Sequence, residues 1–453
     1  MKRLLCLILA AALAASGGCR KKPQADLALL SPHNKNIEQE FETGFRAWHR
    51  QAYGRDVRLE WRDVGGTTSA TQFLVNTHAR GGSSGIDVYF GGGAPDHRLL
   101  ASKGILQAVT LPEETLANLP KAIGGVAQYD EQGRWYGAAV SCFGILYNAQ
   151  LMRQAGLPEP RAWDDLARPA MFGKLSAADA TQSGSARAAY EMIIQSEPSW
   201  PAGWGKLLRI FANCKRYTGG ASEVVNDVAN GDVLAGTAID FYAYDQMASS
   251  GEALGFAIVR GTTAWTPDPV ALLADAPHPE MGKRFIEFVL SPRGQALWCL
   301  PPGTPDGPAR SPLYRQPVRQ DVYEACKGKM LPPLVNPFEL SGQFQLNEDI
   351  AGIRIGRILA PLMQAAALEN REKLAAAWKA MIAAGATQPA AGGAEAGAAT
   401  TLMAQFVALP PELATEAALR ETAQKLSDPR QAELLTTSWT RFFAEKYDRI
   451  AGK

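Results

Sequence analysis

Apolar residues change their spacing repeatedly along the first part of the chain, from continuous runs to a helical period and back. Leu27 to Leu30 form a continuous apolar run typical of a buried strand, and residues 37–48 then carry apolar side chains at helical spacing. A second strand is predicted at residues 57–61, a second helix through residues 73–75, and a third strand at residues 86–90. Strands that alternate with helices over short loops predict a mainly parallel sheet with covered faces.

The same kind of pattern returns further along the chain. Residues 135–140 and 143–148 are predicted to be extended, and a helix at residues 149–155 ends at Gly156. Later elements are predicted as a helix that ends at about Gln195, strands at residues 233–240 and 254–259, and a helix at residues 279–290. In such folds ligands bind beyond the carboxyl ends of strands, so the Gly, Ser and Thr turns found there are candidate ligand contacts.

The composition changes after about residue 300. Residues 301–317 are rich in proline and predict an irregular surface path, whereas residues 350–384 predict a helix. Residues 385–400 form an Ala/Gly-rich stretch typical of a linker, and amphipathic helix returns at residues 402–447.

The N-terminus has the pattern of a cleaved secretion signal. Two basic residues precede an apolar run at residues 4–15, which is shorter than the ~20 residues needed to span a bilayer. Residues 15–19 resemble the lipobox of bacterial lipoproteins, in which the cysteine, here Cys19, becomes the acylated N-terminus. Ordinary secretion with Cys19 near the cleavage site is the alternative. The basic residues 20–22 suit a chain tethered beside an anionic membrane surface.

Composition narrows the partners and the domain count. The chain has 46 basic and 45 acidic residues and no basic stripe, which argues against a nucleic-acid partner. About 430 mature residues predict at least two domains. Of the remaining cysteines (Cys142, Cys214, Cys299 and Cys326), a Cys299–Cys326 disulfide would close a short Pro/Gly-rich loop, and buried free thiols are the alternative. The histidines are scattered and no Cys-x-x-Cys occurs, so a zinc site has little support.

Several stretches resemble, in consistent order, the periplasmic solute-binding proteins of the ferric-iron type, a group that also includes binders of sugar phosphates, aminophosphonates and thiamine. The residues that carry the resemblance are 86–92, 136–148, 156–160, 163–166, 181–185 and 277–295, within residues 27–300. The resemblance implies an α/β fold of the type II-like periplasmic binding protein class, with two lobes, a hinge between them and a ligand in the cleft. A helical C-terminal extension is expected in addition, and the resemblance gives no role to residues 301–453.

The predicted domain organisation combines the resemblance with the changes in composition. The signal peptide is expected at residues 1–18, followed by a first lobe, a second lobe, a linker and a C-terminal extension. The first lobe comprises residues 19–138 with 255–300, the second lobe residues 139–254 with part of 301–384, the linker residues 385–400, and the helical extension residues 401–453.

The most specific candidate site is the segment Thr181 to Ser185. Hydroxyl groups and free backbone N–H groups at a helix start form a receptor for a carboxylate or a phosphate, and Thr181, Ser183, Gly184 and Ser185 are therefore candidate ligand contacts. An ordinary N-cap by Ser or Thr is the alternative.

Other turns offer similar groups from the opposite lobe. The candidates there and at the strand ends are His33, Asn34, Gly66, Thr67, Thr68, Gly91, Gly92, Ser141 and Asp240. Glycine permits a close backbone approach and threonine adds a donor. A flexible turn is the alternative for the glycines, and a capping or surface role is the alternative for the histidine.

Tyr242 bears on the choice of ligand. The ferric members of the group bind iron through two adjacent tyrosines, whereas here the matching pair is Phe241-Tyr242. Tyr244 would share a face with Tyr242 in a strand. No metal is expected; if the ligand is ferric iron, Tyr242, Tyr244 and His33 are the expected ligands. Otherwise Tyr242 is expected to donate a hydrogen bond to an organic or phosphorylated ligand.

These observations predict the substrate-binding component of an ABC importer, which captures a small anionic or phosphorylated solute by lobe closure. It would act without a cofactor as a monomer, held at the periplasmic or cell surface through Cys19, and would deliver the solute to a permease with a separate ATPase. Gly-x-Ser-x-Gly, His-Glu-x-x-His and P-loop patterns are absent, so no enzyme is expected. A ferric-iron binder and a ligand-sensing module for a receptor are the alternatives.

Overall fold

The computed structural model describes residues 25–340, 344–387 and 394–452. The predicted signal peptide, Cys19 and the basic residues after it lie outside the described residues, and so do residues 388–393 of the predicted linker.

The chain forms two larger β-sheets, each covered by helices. The strands are β1 (Leu27–Leu30), β2 (Leu59–Arg62), β3 (Val88–Phe90), β4 (Leu106–Gln107), β5 (Ala122–Ile123), β6 (Val126–Ala127), β7 (Tyr136–Ser141), β8 (Phe143–Asn148), β9 (Leu175–Ala178), β10 (Cys214–Thr218), β11 (Ala235–Ile239), β12 (Leu254–Ile258), β13 (Thr266–Leu273) and β14 (Gln316–Pro317). The α-helices are α1 (Lys35–Tyr53), α2 (Thr67–Ala79), α3 (Ala94–Ser102), α4 (Glu113–Ala117), α5 (Ala149–Gln154), α6 (Trp163–Leu166), α7 (Gly184–Gln195), α8 (Trp200–Ala212), α9 (Ala221–Ala229), α10 (Asp240–Ser250), α11 (Pro279–Leu290), α12 (Pro292–Cys299), α13 (Gln320–Ala325), α14 (Pro337–Leu340), α15 (Glu348–Ile353), α16 (Leu359–Met363), α17 (Arg371–Ala383), α18 (Ala394–Val407), α19 (Glu416–Lys425) and α20 (Pro429–Ile450).

Each sheet is mixed rather than mainly parallel, which corrects the prediction. The first has the order β14-β7-β13-β3-β1-β2 with β4 on β13, and the second has the order β10-β9-β11-β8-β12. Strand β1 runs parallel to β2 and β3, and β9 runs parallel to β10 and β11. Strand β8, which follows the first crossing between the sheets, runs antiparallel to β11 and β12. Strand β13, which follows the second crossing, runs antiparallel to β3 and β7.

The chain crosses between the two sheets at other points than predicted. The first crossing is at Cys142, between β7 and β8, and the second lies between the end of β12 at Ile258 and the start of β13 at Thr266. The predicted boundaries at residues 138/139 and 254/255 each fall several residues too early. The crossing falls in the gap between the two predicted extended segments, residues 135–140 and 143–148, and not at the predicted lobe boundary.

The first lobe is built around an aromatic core between its sheet and three helices. Phe41 and Phe45 of α1 meet Phe285 of α11 and Trp298 of α12, with ring centroids 4.4 Å apart for Phe41 and Trp298 and 5.2 Å apart for Phe45 and Phe285. All four side chains are buried, so the predicted apolar face of α1 is the face that packs on the lobe.

Residues after 300 divide between the two lobes. Residues 301–340 stay with the first lobe, because β14 pairs with β7 and Leu313 and Val318 join its core. Cys299 and Cys326 are buried together there as free thiols in hydrogen-bond contact, and Cys142 and Cys214 are also free thiols.

The helices from residue 348 onward join the core of the second lobe. Trp378, Trp439 and Phe443 are buried in one cluster with Trp204 of α8. The C-terminal region is thus part of the second lobe and not a separate extension. Helix α18 begins at Ala394, inside the predicted linker.

One helical stretch among the described residues, Glu348–Leu368, is long and apolar enough to cross a membrane by length and composition alone. It includes two π-helical turns, and 56% of its most apolar window is buried inside the protein. Ile358, Leu362 and Met363 pack in the core of the second lobe, as is typical of a core helix.

Candidate functional site

A cavity of about 190 Å³ lies between the two sheets, and both lobes line it. Its walls come from the turns after β1 and β3, from the first turn of α7, and from the two crossings between the lobes. Eight of the predicted ligand residues line this cavity: His33, Asn34, Thr67, Gly92, Ser141, Gly184, Ser185 and Tyr242.

The other six predicted residues lie outside the cavity lining, and several of them have structural roles. Ser183 caps α7, because its hydroxyl accepts a hydrogen bond from the Ala186 amide at 3.2 Å. Gly91 has a φ of +106°, and a Cβ at this position would lie 2.7 Å from the ring of His33. A side chain there would displace His33, so glycine is needed for the histidine to occupy its place.

Asp240 forms hydrogen bonds with Cys142, the residue at which the chain first crosses between the lobes. Its carboxylate accepts a hydrogen bond from the Cys142 amide at 3.1 Å, and its own amide donates to the Cys142 carbonyl at 3.0 Å. Burial raises the pKa of Asp240 to about 6, although the hydrogen bond from Cys142 and the charge of Arg315 lower it. Gly66, Thr68 and Thr181 also lie outside the cavity lining; Gly66 is the N-cap residue of α2.

A buried charge cluster forms the floor of the cavity, and two of its members were not predicted. Asp268 of β13 accepts from His33 Nε2 at 2.7 Å and also pairs with Arg315. Arg315 donates in addition to the Ser141 hydroxyl at 3.1 Å, and its guanidinium stacks 4.2 Å above the ring of Phe241. Since a carboxylate only accepts, Nε2 of His33 carries the proton in the bond to Asp268.

The side chains of this cluster are almost fully shielded from solvent, with Arg315 2% and Asp268 8% exposed. Burial acts to raise the pKa of Asp268, but the charges of Arg315 and His33 and the hydrogen bonds from them lower it to about 2. Nδ1 of His33 and Nε of Arg315 are buried without a hydrogen-bond partner among the described residues. Both side chains line the cavity, so both have hydrogen-bonding capacity left for a ligand.

A second polar group lies at the start of α7. Gly184 and Ser185 line the cavity with the first-turn amides, which have no partner within the helix. Arg187 follows one turn later and donates to the Ala180 carbonyl at 3.0 Å, while its Nε is buried and has no partner in the described ranges. No carboxylate of the described residues lies within ion-pair distance of Arg187.

Asp96 of α3 faces Arg187 from the first lobe. It accepts from the Thr71 hydroxyl at 2.9 Å, and burial raises its pKa, which the Thr71 hydrogen bond and the charge of Arg187 counteract. Burial likewise lowers the pKa of Arg187, and the charges of Asp96 and Asp179 raise it. The cavity therefore has a cation without an ion pair on one lobe and a half-buried carboxyl group on the other.

Tyr242 and Tyr244 lie on a helix, not on the predicted strand. Helix α10 begins at Asp240, and two positions along an α-helix turn a side chain by about 200°. Tyr242 lines the cavity, whereas Tyr244 packs against Phe256 at 5.4 Å between ring centroids. The proposed ferric ligand set of Tyr242, Tyr244 and His33 is therefore not brought together. Burial also raises the pKa of Tyr242, which keeps its phenol protonated as a donor.

A further wall comes from residues that no sequence pattern indicated. Leu346, Glu348, Ala351, Gly352 and Ile355 line the cavity from the C-terminal region. No local motif marks them, because they meet the cleft only through the packing of this region on the second lobe.

The comparison with known proteins agrees with this architecture. Residues 34–296 match the family model of the bacterial extracellular solute-binding proteins. The match covers more than half of the 453-residue chain, so the chain belongs to this family. The resemblance to bacterial solute-binding proteins that was inferred from the sequence is confirmed.

Two relatives match parts of the chain. It is 31% identical over 159 residues to the phosphoglycerate transport regulatory protein PgtC of Salmonella typhimurium, covering 35% of this chain and 39% of PgtC. It is 32% identical over 108 residues to a putrescine/agmatine-binding protein of Pseudomonas aeruginosa, covering 22% of this chain and 29% of that protein. The alignments thus span well under two thirds of either relative.

Solved structures of periplasmic binding proteins share the fold. AfuA from Actinobacillus pleuropneumoniae, with exogenous fructose-6-phosphate bound, has a TM-score of 0.58 at 17% identity and covers 78% of this chain and 97% of its own. Iron-bound HitA from Pseudomonas aeruginosa has a TM-score of 0.54 at 19% identity and covers 73% of this chain and 97% of its own. The predicted two-lobed α/β fold with a helical C-terminal region is confirmed.

Proposed function

We propose that this protein is the substrate-binding component of an ABC importer and that its ligand is a small phosphorylated solute. Ligand contacts from both lobes favour the closed form, which then docks on a membrane permease driven by a separate ATPase. Family membership and a cavity between two lobes, with charged side chains in its wall, support a binding role without turnover. The proposal includes a monomer tethered through Cys19 at the periplasmic or cell surface.

The observation that carries the phosphate assignment is the environment of Arg187. Its guanidinium lies at the cavity wall and makes no ion pair with the described residues, one turn after the amides of Gly184 and Ser185 at the start of α7. Helix N-terminal amides and an arginine fork together suit the several acceptor oxygens of a phosphate group.

The other groups in the cavity suit the hydroxyl-bearing remainder of such a solute. Nδ1 of His33 has no partner within the described part of the chain, Asp96 can accept from a hydroxyl, and the phenol of Tyr242 can donate to one. These three residues lie on both lobes, so a ligand that reaches from Arg187 to them would hold the lobes together.

Ferric iron receives less support from the same cavity. Iron favours several anionic oxygen donors, and of the two tyrosines only Tyr242 lines the cavity. Asp268, the most acidic carboxyl group there, is already paired with Arg315 and His33. The guanidinium of Arg187 would attract the phosphate group of a solute, whereas it would repel a ferric ion because both are positively charged.

Thermal-shift measurements on the purified protein test the ligand class. Fructose 6-phosphate, 3-phosphoglycerate and inorganic phosphate are compared with putrescine and ferric citrate. A ligand at about 100 times its Kd adds about 2.7 kcal/mol to the free energy of unfolding, so a bound phosphate ester should raise the melting temperature by several degrees. A rise with ferric citrate or putrescine alone would contradict the proposal.

Arg187→Ala is expected to weaken binding of the phosphate ester by about 10- to 100-fold, because a hydrogen bond to a charged group contributes about 1.5–3 kcal/mol. Isothermal titration calorimetry measures the Kd. Arg153→Ala is the matched control, since Arg153 is an exposed arginine of the same lobe outside the cavity lining. Equal affinity in both variants would remove Arg187 from the site.

A further inference from the structure

The segment of residues 344–355, named here the cleft strap, lies beyond the part of the chain that matches the family model, residues 34–296. It nevertheless supplies one wall of the cavity. Leu346, Ala351 and Ile355 give this wall an apolar surface, and Glu348 gives it a charge. The ligand site of this chain is therefore not complete within the family-matching region.

The cleft strap is fixed to the second lobe. The Asn347 amide donates to Gln195 Oε1 at 2.8 Å, and Gln195 Nε2 donates back to the Asn347 carbonyl at 3.1 Å. At the end of the cleft strap, Arg354 pairs with Glu191 of α7 at 2.9 Å, where the two side chains are 3% and 0% exposed. Breaking such a buried pair is costly, so the cleft strap should move with the second lobe as one body.

The same segment touches the first lobe. Glu348 pairs with Arg98 of α3 and accepts from the Ala127 amide of β6 at 3.4 Å. The Gln345 side chain reaches Gly125, where an added Cβ would lie 2.3 Å from its Oε1. The cleft strap therefore extends from the second lobe across the cavity to the hairpin of β5 and β6.

We propose that the cleft strap is a third wall of the ligand site, carried by the second lobe and closed against the first lobe through Glu348 and Arg98. The wall restricts the site to short phosphorylated solutes, whose phosphate lies at Arg187 and whose other end meets the cleft strap. The inference rests on the proposed function for the ligand, but the contact with the first lobe is independent of it.

Gly352 of the cleft strap and Gly356, which follows it, allow a test of whether the cleft strap contacts the ligand. Among the described residues, no heavy atom lies within 4 Å of a Cβ added at Gly352 or Gly356, so a side chain can begin at both positions without a clash at its Cβ. Gly352 lines the cavity and Gly356 does not. Gly352→Leu is expected to weaken binding of fructose 6-phosphate at least about tenfold while binding of inorganic phosphate stays unchanged.

Gly356→Leu, the matched control, should bind both probes as the parent protein does. Each variant should melt no lower than the parent, because leucine replaces glycine within a helical segment. Parent-like affinity of Gly352→Leu for fructose 6-phosphate would overturn the role of the cleft strap as a ligand wall.

A ligand-free measurement separates this inference from the proposed function. Glu348→Gln should speed amide hydrogen exchange in residues 122–128 by about fivefold, since the ion pair and the hydrogen bond to Ala127 are weakened. Asp349→Asn is the control, because Asp349 is an exposed carboxylate in the same helical turn outside the cavity lining. If neither phosphate probe binds the parent protein, the proposed function fails, and exchange alone decides whether the cleft strap closes on the first lobe. Unchanged exchange in Glu348→Gln would refute that contact.

Discussion

Replacing Trp439 by alanine should lower the free energy of unfolding by about 3–5 kcal/mol, the range typical of a large aromatic side chain removed from a core. Trp439 is 0% exposed, and its indole N–H donates to Glu412 Oε1 at 2.7 Å. It shares a hydrophobic core with Trp204 and Phe443, whose rings lie 6.0 Å apart. The variant therefore loses apolar burial and leaves a cavity between α20 and α8.

Urea denaturation followed by far-UV circular dichroism measures this loss. Leu434→Ala on the same helix is the control, because Leu434 is 57% exposed and its truncation should change the free energy by no more than about 0.5 kcal/mol. Equal effects of the two substitutions would mean that α20 is not part of the core of the second lobe.

This prediction follows from how the second lobe is covered. Helix α8 is buried on almost every face, including its lysine, Lys206, whose amine pairs with Asp164 at 2.7 Å. A helix that is apolar on all sides needs partners on both sides. One side meets the second sheet through α7, and the C-terminal helices cover the other. The residues after 348 thus cover apolar side chains of the second lobe that the residues before 300 do not cover by themselves.

The local elements of the fold could be predicted from the sequence, because hydrophobic spacing is a local signal. Strands β1 and β8 and helix α11 have the bounds that their apolar patterns indicated. The start of α10 was missed, since Phe241 and Tyr242 favour a strand by intrinsic propensity. Asp240 reverses that preference: its carboxylate accepts from the Phe241 amide at 2.8 Å and so stabilises a helix start.

The residues of the cavity were only partly predictable, because some are marked by local sequence signals and others meet only in the folded protein. Turn residues such as Thr67 and Ser185 are marked by their position at the ends of strands and the starts of helices. The charged groups are paired over long distances in sequence: Arg315 with Asp268 across 47 residues, and Glu348 with Arg98 across 250. A single sequence does not indicate which of 46 basic and 45 acidic residues meet in space.

The buried charge cluster has the second large expected effect. Asp268→Asn should lower the free energy of unfolding by about 3–5 kcal/mol at pH 7, because it leaves the guanidinium of Arg315 buried without an ionised partner. Urea denaturation at pH 7 measures the change. The control is Asp130→Asn, which removes the partner of Arg134 in a pair whose side chains are 14% and 28% exposed, and which should cost at most about 1 kcal/mol.

The pH dependence of the difference in unfolding free energy between the parent protein and Asp268→Asn tests whether this difference is electrostatic in origin. The pKa of Asp268 is about 2 in the folded protein and has an ordinary value of 3.8, so the folded state binds fewer protons than the unfolded state between these values. Its contribution to stability is therefore complete above about pH 5 and is lost progressively as the pH falls through the folded value of about 2. The gap in unfolding free energy between the parent protein and Asp268→Asn should narrow over this interval, because a protonated Asp268 has the same charge as asparagine. A gap that stays constant down to pH 2 would show that the variant is destabilised by altered packing and not by the unpaired charge of Arg315.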